Sequence, residues 1–475
     1  MKSYRSSQLE FFQLLLFTLL IVGIVYYGNE IEASQYGQYY FYVLAAFAIL
    51  LAIISPEKGL CIFIIVSMFS PEISLGRTGR RNIVLRFDDV MVVICALIWL
   101  ITRFIRKDIK FFVSTPLDKP IFAFILVCAL SSARGVLIHQ INNPKEATLT
   151  VLKLLEYFFV FYLVVNTVKT KQEIKRYITV FIIVLAFTCI DGLRQMNAGV
   201  ARVSTPFEDT PEPNTLGGYL LFMIGLVGAM AVMGVKIWNK YFLWFLLPVL
   251  VWVFLHTLSR GSYLGYFPVL LTLTFLLPAQ KRIFGLLILI SSVVLLFYLP
   301  PNIKTRIERT FQGPNEYRIP LIAGEEKTVR LDSSSGSRIT KYEDILNYWS
   351  EYPIFGLGIT GAGFVDSSVF RTIGELGLFG LLSLIWLFYT ILSETFNAYK
   401  HSRNSLNKSI CIGYICGMIG LFVHATTANT FFLIRIMGPF WFLTGIIFMI
   451  PPLYFDELAK PHGMNLIESV EKENK

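Results

Sequence analysis

Arginines stand in polar connections between strongly apolar segments, where a guanidinium could bind an anion. Arg260 lies in the sequence "SRG" between two apolar runs, and Arg338 follows the small residues "SSGS". A guanidinium presents its N–H groups as a planar fork that can bind two phosphate oxygens at once. These residues therefore predict a site for a phosphate-bearing ligand, and Arg260 and Arg338 are among its candidates. The further arginines of this set, expected to bind substrate, are Arg86, Arg202, Arg371 and Arg435.

Carboxylates and an amide in the same connections offer the other groups that a transfer reaction needs. Asp366 follows a glycine-rich stretch in the connection that also carries Arg338, which makes it a candidate general base. An equally simple interpretation makes Asp366 the N-cap of the next helix. Glu212 and Asn214 lie at the entry "EPNTLGG" of an apolar run. Glu212 is a candidate functional acid, and Asn214 is predicted to be an N-cap beside its place among the substrate-binding candidates.

Other motifs have a structural explanation beside a chemical one. Gly356, Gly358 and Gly361 match G-x-G-x-x-G, but no βαβ unit surrounds them, so they predict a tight chain reversal rather than a dinucleotide site. The adjacent acids Asp88 and Asp89 could hold a divalent cation against a phosphate or could charge a helix start. Further along the chain, Lys153 and Glu156 predict an ion pair, and His256 is interpreted as a packing residue.

The elements that carry these residues are predicted to be membrane helices. The chain has 475 residues, of which 55% are hydrophobic and only 16% charged. Apolar runs long enough to cross a bilayer recur along the whole sequence, which predicts an all-α, polytopic transmembrane bundle of about 14 spans, in the range 12–14. The six cysteines lie in apolar segments and predict neither disulfides nor a metal site. The predicted spans are roughly 11–27, 39–54, 59–70, 89–105, 120–136, 147–167, 177–193, 215–235, 241–258, 262–278, 283–299, 373–393, 409–427 and 432–452.

Basic residues predict the orientation of this bundle. The segments 103–110, 169–176, 236–240, 280–282 and 400–408 are rich in Lys and Arg and fall on one side under this count, which is therefore predicted to be cytoplasmic. The chain then divides into transmembrane helices in 1–299, an external loop in 300–372, C-terminal transmembrane helices in 373–455 and a cytoplasmic tail in 456–475. Arginines on the external side oppose this charge bias, although each alone could pair with a carboxylate or a lipid head group.

The external loop is predicted to contain an amphipathic helix. The helix is expected to begin after a cap at Ser337 and to end before Pro353. Arg338 would then lie in the first turn, where the helix dipole disfavours a cation, so an external anion or a carboxylate partner is expected. The apolar face consists of Ile339, Tyr342, Leu346 and Trp349.

Several motifs together resemble one family of bacterial envelope enzymes. "SRG" lies between two spans, "PN" opens a span, and the long loop contains "YPIFGLG" followed by "ELGLFG". In their order and spacing over roughly 90–455, these motifs resemble the O-antigen ligase and O-antigen polymerase superfamily of membrane glycosyltransferases. The resemblance implies an inverting transfer of an oligosaccharide from undecaprenyl pyrophosphate to an acceptor sugar, on the external face of the bacterial cytoplasmic membrane. It also implies that Arg260 and Arg338 hold the pyrophosphate, without a cofactor or a metal.

One departure from the family pattern bears on the acceptor. Ligases of the family carry His-Asn where this chain has Asp366 and Ser367, which favours a polysaccharide repeat-unit polymerase. The expected partners are the lipid-linked oligosaccharide, an acceptor glycan, membrane lipids and a chain-length regulator, with no nucleic acid. The alternatives are an O-antigen ligase or protein O-oligosaccharyltransferase with the same donor, a transporter or flippase of lipid-linked glycan, and a metal-dependent enzyme that uses Asp88 and Asp89.

Overall fold

Helices make up most of the chain that the computed structural model describes. The described residues are 50, 52, 55–70, 72–78, 81–105, 113–207, 212–237, 241–298, 300–313, 315–320 and 326–459. The predicted span 11–27, nearly all of 39–54 and the tail from residue 460 onward lie outside these residues.

Fourteen helices lie within the described ranges, together with two short hairpins and three 3₁₀ turns. The helices are α1 Pro56–Phe69, α2 Phe87–Ile105, α3 Asp118–Leu137, α4 Pro144–Thr167, α5 Lys171–Asn197, α6 Pro213–Met233, α7 Phe242–His256, α8 Arg260–Leu276, α9 Arg282–Phe297, α10 Pro301–Glu308, α11 Ser333–Glu351, α12 Ser368–His401, α13 Ser405–Ala425 and α14 Ile434–Ala459. The hairpins pair β1 Glu72–Thr78 with β2 Arg81–Arg86 and β3 Asn315–Pro320 with β4 Glu326–Leu331, both antiparallel. The 3₁₀ turns are Ala279–Lys281, Arg309–Phe311 and Thr430–Phe432.

The prediction of an all-α polytopic membrane bundle is confirmed. Seven described helices are long and apolar enough to cross a membrane, namely α3, α4, α5, α6, α12, α13 and α14. The predicted spans 59–70, 89–105, 241–258, 262–278 and 283–299 are also helices, of 14 to 19 residues. The total of about 14 spans stays a prediction, because the first two lie almost wholly outside the described residues.

The helix α6 forms the centre of the bundle. Of the residues in its most apolar 18-residue stretch, 94% are buried inside the protein. Glycines let it approach α13 closely, since a Cβ atom at Gly225 would lie 2.7 Å from the backbone nitrogen of Gly417. Small residues at such contacts permit the tight packing on which membrane helices depend. This packing brings the start of α6 and the end of α13 to the same end of the bundle.

The connections alternate between two ends of the bundle. One end, here called the basic end, contains the connections 169–176, 280–282 and 400–408. There Arg176 pairs with Glu57 at 3.1 Å, joining the starts of α5 and α1. The opposite end, here called the pocket end, contains residues 198–207 after α5 and the connections 257–259 and 426–433. At the pocket end, Ser259 donates a hydrogen bond to Asn214 at 2.9 Å and joins the starts of α8 and α6.

The two family-like motifs "YPIFGLG" and "ELGLFG" interlock. The helix α12 is broken at Gly377, whose φ of 65° is unfavourable for other residues. The segment 353–358 fills the break, because Leu378 N donates to Pro353 O at 2.8 Å and Gly358 N donates to Glu375 O at 2.8 Å. Gly356 and Gly358 also have positive φ. The predicted glycine-rich reversal is therefore confirmed as an insertion into a broken helix.

The start of α11 differs from the prediction. The helix begins at Ser333, and Asp332 is its N-cap, with the carboxylate accepting a hydrogen bond from Ser335 N at 2.9 Å. The predicted cap at Ser337 is wrong, because the chain becomes helical directly after β4 ends and an aspartate already stands there. Ser337 instead donates to the Ser333 carbonyl within the helix. Arg338 consequently lies in the second turn rather than the first.

Candidate active site

Four arginines surround one small cavity at the pocket end, here called the arginine pocket. They are Arg202, Arg260, Arg306 and Arg338. The remaining lining residues are Asn214, Leu258, Gly261, Ser334, Thr427 and Ala428. The cavity measures about 60 Å³. A cavity of this size has room for a few water molecules or for a small anion, since one water needs roughly 10–15 Å³ by the same measure.

Arg260 is fixed by the tight turn between α7 and α8. It is the first residue of α8, and Leu258 before it has a positive φ of 50°. Its Nη1 donates to Thr310 Oγ1 at 2.8 Å and to Asp332 Oδ2 at 2.9 Å. A Cβ atom at Gly261 would lie 2.1 Å from Thr427 Oγ1, which explains the glycine of "SRG". The motif therefore holds the α8 start against the end of α13 and directs Arg260 towards the long connection between α9 and α12.

Arg202 and Arg306 contribute charge that no described carboxylate neutralises through an ion pair. Arg202 donates only to the backbone carbonyls of Thr257 and Leu258, at 3.3 and 3.4 Å. The buried Nε of Arg306 has no hydrogen-bond partner among the described residues. Burial lowers the pKa of both guanidinium groups, and the positive charges of the neighbouring arginines lower it further. An anion in the pocket would relieve this repulsion.

Arg338 brings Asp366 to the same site. Its Nε donates to Asp366 Oδ2 at 2.7 Å, so the expected carboxylate partner is present. The capping interpretation of Asp366 is wrong, because Ser367 is the N-cap of α12 and accepts a hydrogen bond from Phe370 N at 3.3 Å. With capping excluded, Asp366 is a half-exposed carboxylate held beside the arginine pocket.

The pocket has a net positive charge. Four arginines contribute four positive charges, and their two partners Asp332 and Asp366 contribute two negative ones. The difference is a net charge of +2. A ligand that complements this charge carries about two negative charges, as two phosphodiester-like groups do at neutral pH.

Asn214 and Glu212 lie at the start of α6. The helix begins at Pro213 and Glu212 occupies the N-cap position, so the predicted cap at Asn214 is wrong. Proline is favoured in the first turn, and it starts the helix one residue before Asn214. Asn214 lines the arginine pocket and holds the "SRG" turn through Ser259. Glu212 accepts a hydrogen bond from Thr215 at 3.2 Å and is not among the lining residues.

Three other predicted site arginines lie elsewhere and are deeply buried. Arg371 is 2% exposed, pairs with Glu375 at 3.0 Å and stacks 3.8 Å from the ring centre of Phe432. Arg435 is 1% exposed and donates to the backbone carbonyls of residues 68, 70 and 206. Arg86 pairs with Asp88 at 3.1 Å. The structure therefore does not bring these three arginines into the arginine pocket.

The acids near Arg86 form an ionic network. Carboxylate oxygens of Asp88, Asp89 and Glu156 lie within 4.8 Å of one another. The ammonium group of Lys153 bonds to Asp89 and lies 2.9 Å from Glu156, which confirms the predicted Lys153–Glu156 pair. Lys153 and Arg86 thus already supply two positive charges to three carboxylates, so this arrangement is explained as a structural network of α2 and α4.

A larger cleft adjoins the arginine pocket. Its volume is about 710 Å³, and it shares Leu258 and Arg306 with the pocket. The connection after α5, the end of α7 with His256, and α10 form its walls. The interpretation of His256 as a packing residue agrees with its contact with the Trp252 ring, and His256 also lines the cleft.

Two residues of the site were not singled out by sequence reasoning. Arg306 was one of several loop arginines, and only the position of α10 brings it to the pocket. Asp332 carried a usable signal, because an aspartate directly before a run of serines is typical of a helix N-cap. Its second contact, with Arg260, depends on how the long connection between α9 and α12 folds back and had no signal in the sequence.

The comparison with protein families agrees with this geometry. Residues 242–385 match the family described as O-antigen ligase. A comparison with curated proteins finds no match to the chain. The matched segment runs from α7 into α12 and contains three pocket arginines and Asp366, whereas Arg202 and Asn214 precede it. This match supports the resemblance of the chain to the O-antigen ligase and polymerase superfamily.

Proposed function

We propose that the protein is a polysaccharide repeat-unit polymerase. It transfers an oligosaccharide from undecaprenyl pyrophosphate to an acceptor sugar hydroxyl on the external face of the bacterial cytoplasmic membrane. The observation that carries this proposal is the arginine pocket, with four guanidinium groups and a net charge of +2 at the end of the bundle opposite the basic connections. Glycosyl transfer on lipid-linked glycans is the general activity that the family match supports.

The arginines act on the leaving group. During transfer the bond between the anomeric carbon and the phosphate oxygen breaks, and the lipid pyrophosphate departs with the electron pair. Negative charge grows on that oxygen, and fixed cations stabilise it without reorganising. Arg260 and Arg338 are held by Asp332 and Asp366 before the ligand arrives, so their forks are already oriented.

Asp366 serves as the general base in this proposal. The acceptor hydroxyl attacks the anomeric carbon from the side opposite the pyrophosphate, which inverts the configuration, and its proton must be removed. The Nε of Arg338 donates to the carboxylate of Asp366. A pyrophosphate that competes for this fork would free the carboxylate to take the proton. Donor binding would therefore precede activation of the acceptor.

A ligase is the second candidate, because the matched family is described as O-antigen ligase. An O-antigen ligase or a protein O-oligosaccharyltransferase would use the same donor and the same arginines with a different acceptor. A transporter is supported less well, because the four arginines gather at one end of the bundle rather than at mid-span. Asp366 at the position where ligases carry histidine favours the polymerase.

A host strain that lacks the gene tests this proposal. Complementation with the wild-type protein should restore long polysaccharide, whereas Arg260→Ala should leave single repeat units, both on the lipid carrier and on the cell surface. If long polymer persists on the lipid carrier and only its attachment is lost, the protein is a ligase. If repeat units fail to reach the external face, it is a transporter.

The sidedness has its own test. Glu316 is an exposed residue of the external loop, and Gln280 is exposed at the basic end. The native cysteines are all buried, so labelling of an introduced cysteine will have a low background. Glu316→Cys should react with a membrane-impermeant thiol reagent in intact spheroplasts, and Gln280→Cys only after lysis. The reverse pattern would contradict an external active site.

A further inference from the structure

The cleft beside the arginine pocket is open enough to hold several sugar units. Its volume is about 710 Å³, which lies within the range of roughly 300–1,000 Å³ that is usual for ligand sites. Because Arg306 and Leu258 line both cavities, a molecule in the cleft touches the pocket directly. The cleft is therefore placed to present a second substrate to a donor held by the arginines.

One face of α10 supplies the cleft with hydrogen-bond donors. Asn302, Thr305 and Arg306 lie at spacings of three and one residues, which places them on one side of the helix, and Arg309 follows in the next 3₁₀ turn. Within the described ranges, the side chains of Thr305 and Arg309 make no hydrogen bond with another residue. Thr305 is half-buried and Arg309 is exposed, so both side chains can pair with a ligand that offers hydrogen-bonding groups.

His256, the last residue of α7, supplies an acceptor to the same cleft. Its Nδ1 lies 2.9 Å from the carbonyl oxygen of Trp252. A carbonyl only accepts hydrogen bonds, so Nδ1 carries the proton in the neutral ring and Nε2 is left as an acceptor. The ring also packs on Trp252 at 4.7 Å between ring centres, which fixes its plane.

We propose that this cleft binds the acceptor glycan. A sugar presents hydroxyl groups that both donate and accept, and the cleft offers amide, hydroxyl and guanidinium donors together with an imidazole acceptor. The polyprenyl tail of the donor has no hydrogen-bonding groups and would leave the polar face of α10 unpaired, at a desolvation cost. The donor tail is therefore the less favourable occupant. This inference rests on the proposed function and adds the binding site of the second substrate.

The test fills the cleft and leaves the arginine pocket intact. Thr305→Trp places a large side chain in the cleft, and Thr340→Trp makes the same substitution on the exposed surface of α11 as a matched control. His256→Gln removes the ring acceptor with a smaller change of shape, so it keeps the test valid if Thr305→Trp fails to fold. Each variant is assayed for polymer length and amount in the host strain, and for binding of undecaprenyl pyrophosphate by the purified protein in nanodiscs.

We expect Thr305→Trp to lower the amount of polymer at least roughly tenfold and to shorten the chains, and His256→Gln to shorten them more mildly, since loss of one good contact weakens binding about tenfold. Both variants should bind undecaprenyl pyrophosphate with the same affinity as the control variant Thr340→Trp. Wild-type polymer from folded Thr305→Trp and from His256→Gln would overturn the proposal. Weakened lipid binding, as expected for Arg260→Ala, would also overturn it and assign the cleft to the donor. Failure of the proposed function is separate, because it would appear as normal polymer from Arg260→Ala itself.

Discussion

Two groups of arginines, similar in the sequence, differ in the fold. Arg371 and Arg435 are at most 2% exposed, and their guanidinium groups are engaged by a carboxylate, an aromatic ring or backbone carbonyls. Arg260 and Arg338 are 15% and 22% exposed and border a cavity. An arginine that the fold itself surrounds holds helices together, whereas one that faces a cavity beside uncompensated charge is available to a ligand. Arg371 and Arg435 therefore stabilise the scaffold that the pocket arginines need.

Among the substitutions that test this comparison, the largest expected effect is on the stability of the folded protein. Glu375→Gln leaves the Arg371 charge buried without its counter-ion, which costs about 3–5 kcal/mol in buried pairs. The thermal unfolding temperature in detergent should fall strongly. Glu316→Gln breaks the exposed pair with Arg330, worth about 0–1 kcal/mol, and should leave that temperature almost unchanged. Equal unfolding temperatures for the two variants would remove the distinction between the two groups.

The next effect is on turnover. Arg260→Ala and Arg338→Ala should still insert and fold, and each should lower polymer formation by roughly 10²–10³, because each removes a cation that stabilises the leaving group. Arg→Lys at either position should also fail, since an ammonium lacks the bidentate fork. Pulse-labelled polysaccharide, normalised to the amount of folded protein, measures the loss. Near-normal polymer from an Ala variant would exclude that arginine from the mechanism.

A third prediction separates two possible roles of Asp366, which are to position Arg338 and to remove the proton of the acceptor hydroxyl. Asp366→Asn keeps a hydrogen-bond acceptor near Arg338 but loses the base, so donor binding should persist while most turnover is lost. Asp366→His should recover some of it, since imidazole is also a base at neutral pH. Polymer yield and undecaprenyl pyrophosphate binding are measured on the same preparations. A fully active Asn variant would show that Asp366 only positions Arg338.

The sequence predicted the helices better than their ends and contacts. Hydropathy and length identified the core helices such as α6, because membrane spanning demands long apolar runs. The cap at Ser337 was misplaced, because "DSSSGS" offers several capping residues and only the end of β4 selects Asp332. For the site, the sequence correctly placed Arg202, Arg260, Arg338 and Asn214 at the same end of the bundle. The burial of Arg371 and Arg435 depends on tertiary packing, which no local pattern encodes.

The smallest predicted effect concerns Asp332, which joins the pocket to α11. Burial alone would raise the pKa of this carboxyl, but hydrogen bonds from Ser335 and Arg260 outweigh it and lower the pKa below the usual 3.8. Its charge therefore stabilises the fold above pH 3.8, and this contribution is lost as the pH falls through the lowered pKa. Asp332→Asn keeps the cap, so it should cost only about 0–1 kcal/mol at neutral pH. Thermal unfolding of wild type and of Asp332→Asn should show that the difference in stability between them becomes smaller in acid. A difference that becomes larger in acid would contradict the ion pair.

Binding of undecaprenyl pyrophosphate to the purified protein in nanodiscs tests the central claim most directly. The comparison uses wild type, Arg260→Ala and, as a matched control, Arg330→Ala, which removes an exposed arginine of the connection between α9 and α12. We predict that Arg260→Ala binds the lipid at least roughly tenfold more weakly than wild type, because it loses a charge-assisted contact, and that Arg330→Ala binds it normally. Equal affinity of all three proteins would contradict the assignment of the arginine pocket to the pyrophosphate.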